Sequence, residues 1–160
     1  MMKRIAIVSV FGAIALCALT FSQTTLAANG ANESGKPAAA PADRVVVMYF
    51  HRTQRCPICK RMGSYTEEAV LKGFPKEVED GSVEFHFVDF QKEENAALAQ
   101  GYKVGGPTLI VAQVVANKVK AFKNLQEMWE KNNDKDAFLK YVRENVSAYQ
   151  KKADSKTARR

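Results

Sequence analysis

Cysteine is scarce in this sequence. Three cysteines in 160 residues are too few for a scaffold held together by disulfides. No block of five or six like charges occurs, and no segment repeats. Charged residues make up 26 % and apolar residues 46 %, which excludes a disordered or collagen-like chain. No glycine motif of the phosphate-binding kind is present, because Gly105-Gly106 stands before a strand pattern and not before a helix. The acid pairs Glu67-Glu68 and Glu93-Glu94 read as solvated helix surface, with no neighbouring base that would suggest hydrolysis. What is left is one small globular domain with targeting and tail segments, at a net charge of +7.

Lys3 and Arg4 precede the uncharged run Ile5 to Phe21, and polar residues lead from there to Leu26-Ala27-Ala28. A basic start, an apolar stretch and small residues at a cleavage position describe a secretory signal over residues 1–27. The competing reading is an uncleaved membrane anchor, since 17 residues is at the short end for a span. Cys17 is an ordinary residue of the apolar stretch, because bulky Leu16 before it does not suit a lipoprotein signal. Loss of residues 1–27 removes two basic residues and lowers the net charge to +5. Residues 28–42 are rich in Ala, Pro, Gly and Asn and read as a flexible linker. Residues 150–160 read as a basic, solvated tail. The expected location is periplasmic or secreted after cleavage, or membrane-anchored without it. No nucleic-acid partner is expected of an exported chain, membrane contact is expected only if the leader stays, and the domain is expected to be a monomer.

Between these ends, residues 43–149 form the expected domain. Arg44 to Phe50, RVVVMYF, is a continuous apolar run that reads as a central strand. Pro57 opens a helix that presents Ile58, Met62, Tyr65 and Ala69 on one face and ends near Lys72, with Gly63-Ser64 allowing a bend. Val83 to Phe90 reads as a second strand and Glu93 to Gln100 as a short helix. Thr108 to Val115 and Val119 to Phe122 read as two strands joined by a turn at Asn117-Lys118. Leu125 to Lys131 suits one or two helical turns, and Asp136 to Tyr149 a last helix. The order βαβαββα predicts an α/β domain: a mixed four-stranded sheet with flanking helices, its early strands parallel and its last two an antiparallel hairpin. Trp129 and the phenylalanines read as packing residues.

The chemistry is concentrated in Cys56-Pro57-Ile58-Cys59, which holds both cysteines beyond the leader. A C-x-x-C at the start of a helix after a buried strand reads as a redox pair. Two side chains three apart on a helical turn can close a disulfide with little backbone movement. Free N–H groups and partial positive charge at the helix start stabilise a thiolate at Cys56, while Cys59 lies one turn in and is shielded. Arg52, Arg55, Lys60 and Arg61 surround the motif, and no acid occurs between Arg44 and Glu67. These cations are expected to lower the Cys56 pKa, although such a cluster alone would read as a solvated basic face.

The strand VVVMYF, the CPIC helix start, and Gly106-Pro107-Thr108 leading into LIV together resemble the thioredoxin superfamily, over about Arg44 to Tyr149. The trimmed core is most similar to glutaredoxins and small exported thioredoxin-like proteins. The resemblance implies an exported thiol-disulfide oxidoreductase that exchanges disulfides with partner proteins. It implies Cys56 as nucleophile, Cys59 as resolving thiol and Pro107 as a cis-proline at the substrate-docking loop formed with Gly106 and Thr108. The redox-active Cys56–Cys59 disulfide then takes the place of any cofactor or metal. Three departures stand out: Arg55 and Pro57 where thioredoxins carry tryptophan and glycine, no carboxylate in Met48-Tyr49-Phe50 where they keep a buried aspartate, and a flexible linker in place of the strand–helix unit that opens full thioredoxins.

Two other readings compete. The thiols could form half of a zinc or copper site completed by His51 or His86, although a structural zinc site needs four ligands. Alternatively, CPIC could be a structural disulfide in a non-catalytic interaction module, although so short a loop gains little stability from closure.

Overall fold

The structure, a computed structural model, describes residues 40–157. The leader-like segment and its cleavage position lie outside the described residues. Only Ala40, Pro41 and Ala42 of the expected linker fall within them. The Ala42 carbonyl accepts a 2.9 Å hydrogen bond from the Asn117 N–H, and the Pro41 carbonyl accepts one of 2.9 Å from the Arg44 guanidinium.

Four strands form one sheet in the order β2-β1-β3-β4. They are β1 (Arg44–His51), β2 (Val83–Asp89), β3 (Thr108–Val115) and β4 (Lys118–Asn124). The continuous apolar runs became the two central strands, because both faces of a central strand are covered. Strand β1 is parallel to β2, from Val45 opposite Val83 to His51 opposite Asp89. It is antiparallel to β3, from Arg44 opposite Val114 to Phe50 opposite Thr108. This corrects the expectation that the early strands are all parallel: the connection through residues 90–107 returns β3 in the opposite direction. The final hairpin is antiparallel as expected, with a bulge at Gln113/Val114. Its turn is displaced by one residue, since Ala116 and Asn117 carry φ of 51° and 59° and β4 already begins at Lys118.

Alternate residues of β1 point to opposite faces. Val45, Val47 and Tyr49 pack with Leu109 and Val111 against helices α1 (Pro57–Gly73), α4 (Met128–Lys131) and α5 (Lys135–Thr157), meeting Met62, Val70, Met128, Phe138, Val142 and Val146. Each such aliphatic side chain, once buried, contributes about 1.5–3 kcal/mol. Val46, Met48 and Phe50 pack with Ile110, Ala112 and Val114 on the other face, where α3 (Ala96–Gly101) supplies Ala99 and Tyr102 leans in behind it. A single 3₁₀ turn, Glu93–Asn95, leads into α3.

Three further differences from expectation have local causes. Pro75 does not merely end α1: it starts the five-residue helix α2 (Pro75–Glu79), as proline can at a first helical position. The last helix does not fray at Tyr149 but runs through the basic segment to Thr157, since no glycine or proline interrupts it. Gly63 lies inside the unbroken helix α1 and serves close packing. A Cβ there would lie 2.9 Å from Phe87 Cε1 and 3.2 Å from Tyr49 Cε1, so glycine lets the helix lie close on the sheet.

Candidate functional site

Strand β1 ends at His51, and a four-residue polar loop carries the chain to Cys56. Cys56 caps α1, with extended backbone at φ −67° and ψ 163° and Pro57 just inside the helix. Its Sγ accepts a 3.2 Å hydrogen bond from the Cys59 N–H. The two sulfurs lie 2.7 Å apart. Cys56 is exposed and Cys59 is buried, both as free thiols.

This difference in environment separates the two thiols. The Cys56 thiol is held below its ordinary value first by the hydrogen bond from the Cys59 side chain and then by that from the Cys59 N–H. The Cys59 thiol is pushed up, first by burial and then by its bond to Cys56. Both directions are those of a pair in which the Cys56 thiol loses its proton before the Cys59 thiol does. For Cys56 the dominant causes are hydrogen bonds at the helix start, as the sequence position implies, and for Cys59 the dominant cause is burial.

Beneath the helix turn lies Tyr49. Its hydroxyl donates a 2.8 Å hydrogen bond to the Cys59 carbonyl, and its ring is fully buried. Burial, followed by the two cysteines, pushes the Tyr49 hydroxyl pKa upward, so it stays protonated and remains a donor. Sequence reasoning passed over Tyr49, treating its position only as one without a carboxylate. Phe87 is read from the sequence only as a packing residue. It packs edge-on to Tyr49 at 6.1 Å and to His51 at 6.0 Å, yet remains 40 % exposed. Its place in an alternating strand was the available signal, but alternation does not say which residues reach the sheet end.

The four flanking cations do different things. Arg61 is turned away to the opening of α5, where its Nη2 donates to Asn132 Oδ1 at 2.7 Å and Asn133 Oδ1 at 2.8 Å. Arg55 is half-buried, with its guanidinium carbon 5.3 Å from the Phe87 ring centroid. Lys60 is exposed, and its N–H closes the first helical turn onto the Cys56 carbonyl at 2.9 Å. Arg52 is exposed, and its carbonyl lies 2.9 Å from His51 Nδ1. Ile58, expected on the inward face, is 44 % exposed.

Thr108 pairs with Phe50, one residue before the end of β1, so the loop Gly106-Pro107 is brought to the same sheet end as the residue 52–55 loop. The bond between Gly106 and Pro107 is trans, as are all peptide bonds among the described residues. This corrects the expected cis-proline. Trans is the ordinary form, favoured by about 0.5–1 kcal/mol before proline, and here the Thr108 hydroxyl donates 2.9 Å back to the Gly106 carbonyl across the proline. Space is open around Gly105 and Gly106, where an added Cβ would meet nothing within 4 Å.

The histidines do not join the thiols. His86 Nε2 is 3.0 Å from Glu84 Oε2, and His51 faces the Arg52 carbonyl. Among the described residues no three His, Cys, Asp or Glu side chains are grouped to hold a metal ion. No helix among them is long and apolar enough to cross a membrane.

A family model described as thioredoxin matches residues 34–159. Among solved structures, one described as a malarial protein is 22 % identical over 56 % of this chain and 97 % of its own, with a TM-score of 0.36. Another, of thioredoxin-2, a component of the malaria parasite protein secretion machinery, is 24 % identical over 51 % of this chain and 69 % of its own, with a TM-score of 0.37. No curated protein matches the chain.

Proposed function

Because the chain belongs to the thioredoxin family, we propose that it is a thiol-disulfide oxidoreductase acting on partner proteins, with Cys56 as nucleophile and Cys59 as resolving thiol. The observation that carries this reading is the exposed Cys56 sulfur, 2.7 Å from the buried sulfur of Cys59 at the start of α1. In the reducing direction, the Cys56 thiolate attacks one sulfur of a partner disulfide. A mixed disulfide forms, and the other partner sulfur leaves as a thiolate that takes up a proton. Cys59 gives up its proton and attacks the Cys56 sulfur. The Cys56–Cys59 disulfide forms, the second partner thiol is released, and two electrons have passed to the partner. Oxidation of a partner dithiol is the same sequence reversed.

Gly106, Pro107 and Thr108 are the proposed docking loop, reached through the open space beside the two glycines. The trans bond at Pro107 means that docking does not use the cis-proline geometry that the family resemblance implied. Export follows in this proposal from the leader-like residues 1–27, and a periplasmic or extracellular setting from export.

Insulin reduction by the reduced protein, followed as turbidity, tests the reading together with the Cys56→Ser and Cys59→Ser variants. Cys56→Ser is expected to be inactive. Cys59→Ser is expected to trap a mixed disulfide with the substrate. A fully active Cys56→Ser variant would overturn the assignment.

A further inference from the structure

Beside Cys56 is a shallow cleft of about 390 Å³ lined by Thr53, Gln54, Arg55 and Lys60. Two of its four side chains are cations, the other two are neutral and polar, and no acid lines it. Asp89, an acid on the neighbouring strand end, is buried. It accepts a 3.0 Å hydrogen bond from the Gln91 N–H and interacts with the Thr53 side chain. Arg55 is posed rather than free, because its guanidinium stacks over Phe87. Exposed Ile58 and Phe87 add apolar surface close by. Neither Arg55 nor Lys60 has an acidic partner among the salt bridges of the described residues. Arg55 and Lys60 flank the Cys56-to-Cys59 segment in the chain and have no acidic partner among those salt bridges, so they can meet the carboxylates of whatever brings its own sulfur there.

We propose that this cleft docks carboxylate side chains of a partner polypeptide, so that Cys56 reacts preferentially with cysteines that have aspartate or glutamate close by in the chain. The inference rests on Cys56 being the attacking thiol. Arg55 supplies a planar fork that suits a carboxylate, with Phe87 beneath it as a platform, and Lys60 supplies a mobile point charge. The charges are solvent-accessible, so the preference depends on ionic strength, with a screening length of about 10 Å at 0.1 M salt. Charge complementarity of this kind acts on encounter rate and choice of partner more than on tightness.

Three disulfide peptides of one backbone test this, with the cysteines flanked by glutamate, glutamine or lysine. Each rate with the reduced protein is divided by the rate of dithiothreitol with the same peptide, which removes the peptide's own reactivity. At low salt the glutamate peptide is expected to react at least fivefold faster than the lysine peptide, and the ratio to shrink in 0.5 M salt. In Arg55→Gln/Lys60→Gln the ratio is expected to fall close to one. Any change in Cys56 nucleophilicity cancels in this ratio, because it affects all three peptides alike. Equal normalised rates in the wild type, or an undiminished ratio in the double variant, would overturn the docking inference alone. No reaction with any of the three peptides would overturn the exchange reading, and this inference with it.

Discussion

The hydroxyl of Tyr49, on the central strand, donates a 2.8 Å hydrogen bond to the carbonyl of Cys59, on the first turn of the helix that carries the dithiol. It pins the Cys59 backbone to the sheet from inside the core. A buried bond of this kind contributes about 1 kcal/mol net. Tyr49→Phe keeps the ring and removes the donor. It is expected to lower unfolding free energy by about 1 kcal/mol in urea titration, with little change in slope. An unchanged midpoint would mean that the bond holds nothing in place.

Alkylation separates the two thiols. Cys56 titrates below its ordinary value and Cys59 above it. A thiolate, not a thiol, reacts with iodoacetamide. As pH rises, Cys56 is expected to gain reactivity before a model thiol does, and Cys59 after it. Mass spectrometry of the reduced protein labelled at mildly acidic pH is expected to find the label on Cys56. Label mainly on Cys59 would reverse the assignment.

The same asymmetry has a redox consequence. The Cys56 thiolate exists only in the reduced form, so stabilising it favours reduction and raises the potential. Equilibration with glutathione is expected to place the pair above thioredoxin, whose potential is about −270 mV. A value at or below that figure would mean that the thiolate is not effectively stabilised.

Much of this was legible and some was not. Strands β1 and β3 are runs of apolar residues bounded by polar ones, and burial on both faces leaves little choice. The thiol pair was legible because helix-start chemistry depends on local order alone. The direction of β3 was not, since a connection through a short helix can return either way. Tyr49 stayed hidden inside VVVMYF because its partner is a backbone carbonyl, which leaves no mark in the sequence. The trans bond at Pro107 was misread because the family resemblance was followed over the ordinary preference of an X–Pro bond.

Gly63 offers a test of close approach. Alanine is the better helix former by up to about 1 kcal/mol. Here its methyl would meet the rings of Phe87 and Tyr49 at 2.9 and 3.2 Å. Gly63→Ala is therefore expected to destabilise the protein by about 1–3 kcal/mol, the usual cost of overpacking. Ser64→Ala, at the exposed neighbouring position, is the control and is expected to be nearly neutral. A stabilised Gly63→Ala would show that the rings move aside freely.

At the hairpin turn the sign is opposite. Ala116 has φ of 51°, in the left-handed region that a Cβ disfavours by about 1–2 kcal/mol. Its N–H donates to the Asp43 carboxylate at 2.7 Å, a bond that glycine keeps. Ala116→Gly is expected to stabilise by about 0.5–1 kcal/mol after the extra chain entropy of glycine is subtracted. Thermal melts of the two proteins decide it.

Strand β4 closes one side of the sheet: its outer edge pairs with no other strand among the described residues, and every residue from Lys118 to Lys123 is exposed. An open edge of this kind is a template on which another chain can add a strand. Lys118 and Lys120 guard it, since a second copy arriving edge to edge would bring its own lysines against these, whereas Lys123 is turned to the last helix, where its Nζ donates to Asn145 Oδ1 at 2.9 Å. That charge is therefore expected to oppose growth along the uncovered strand at high local concentration. Acetylating Lys118 and Lys120 would remove that protection while leaving the fold's interior untouched.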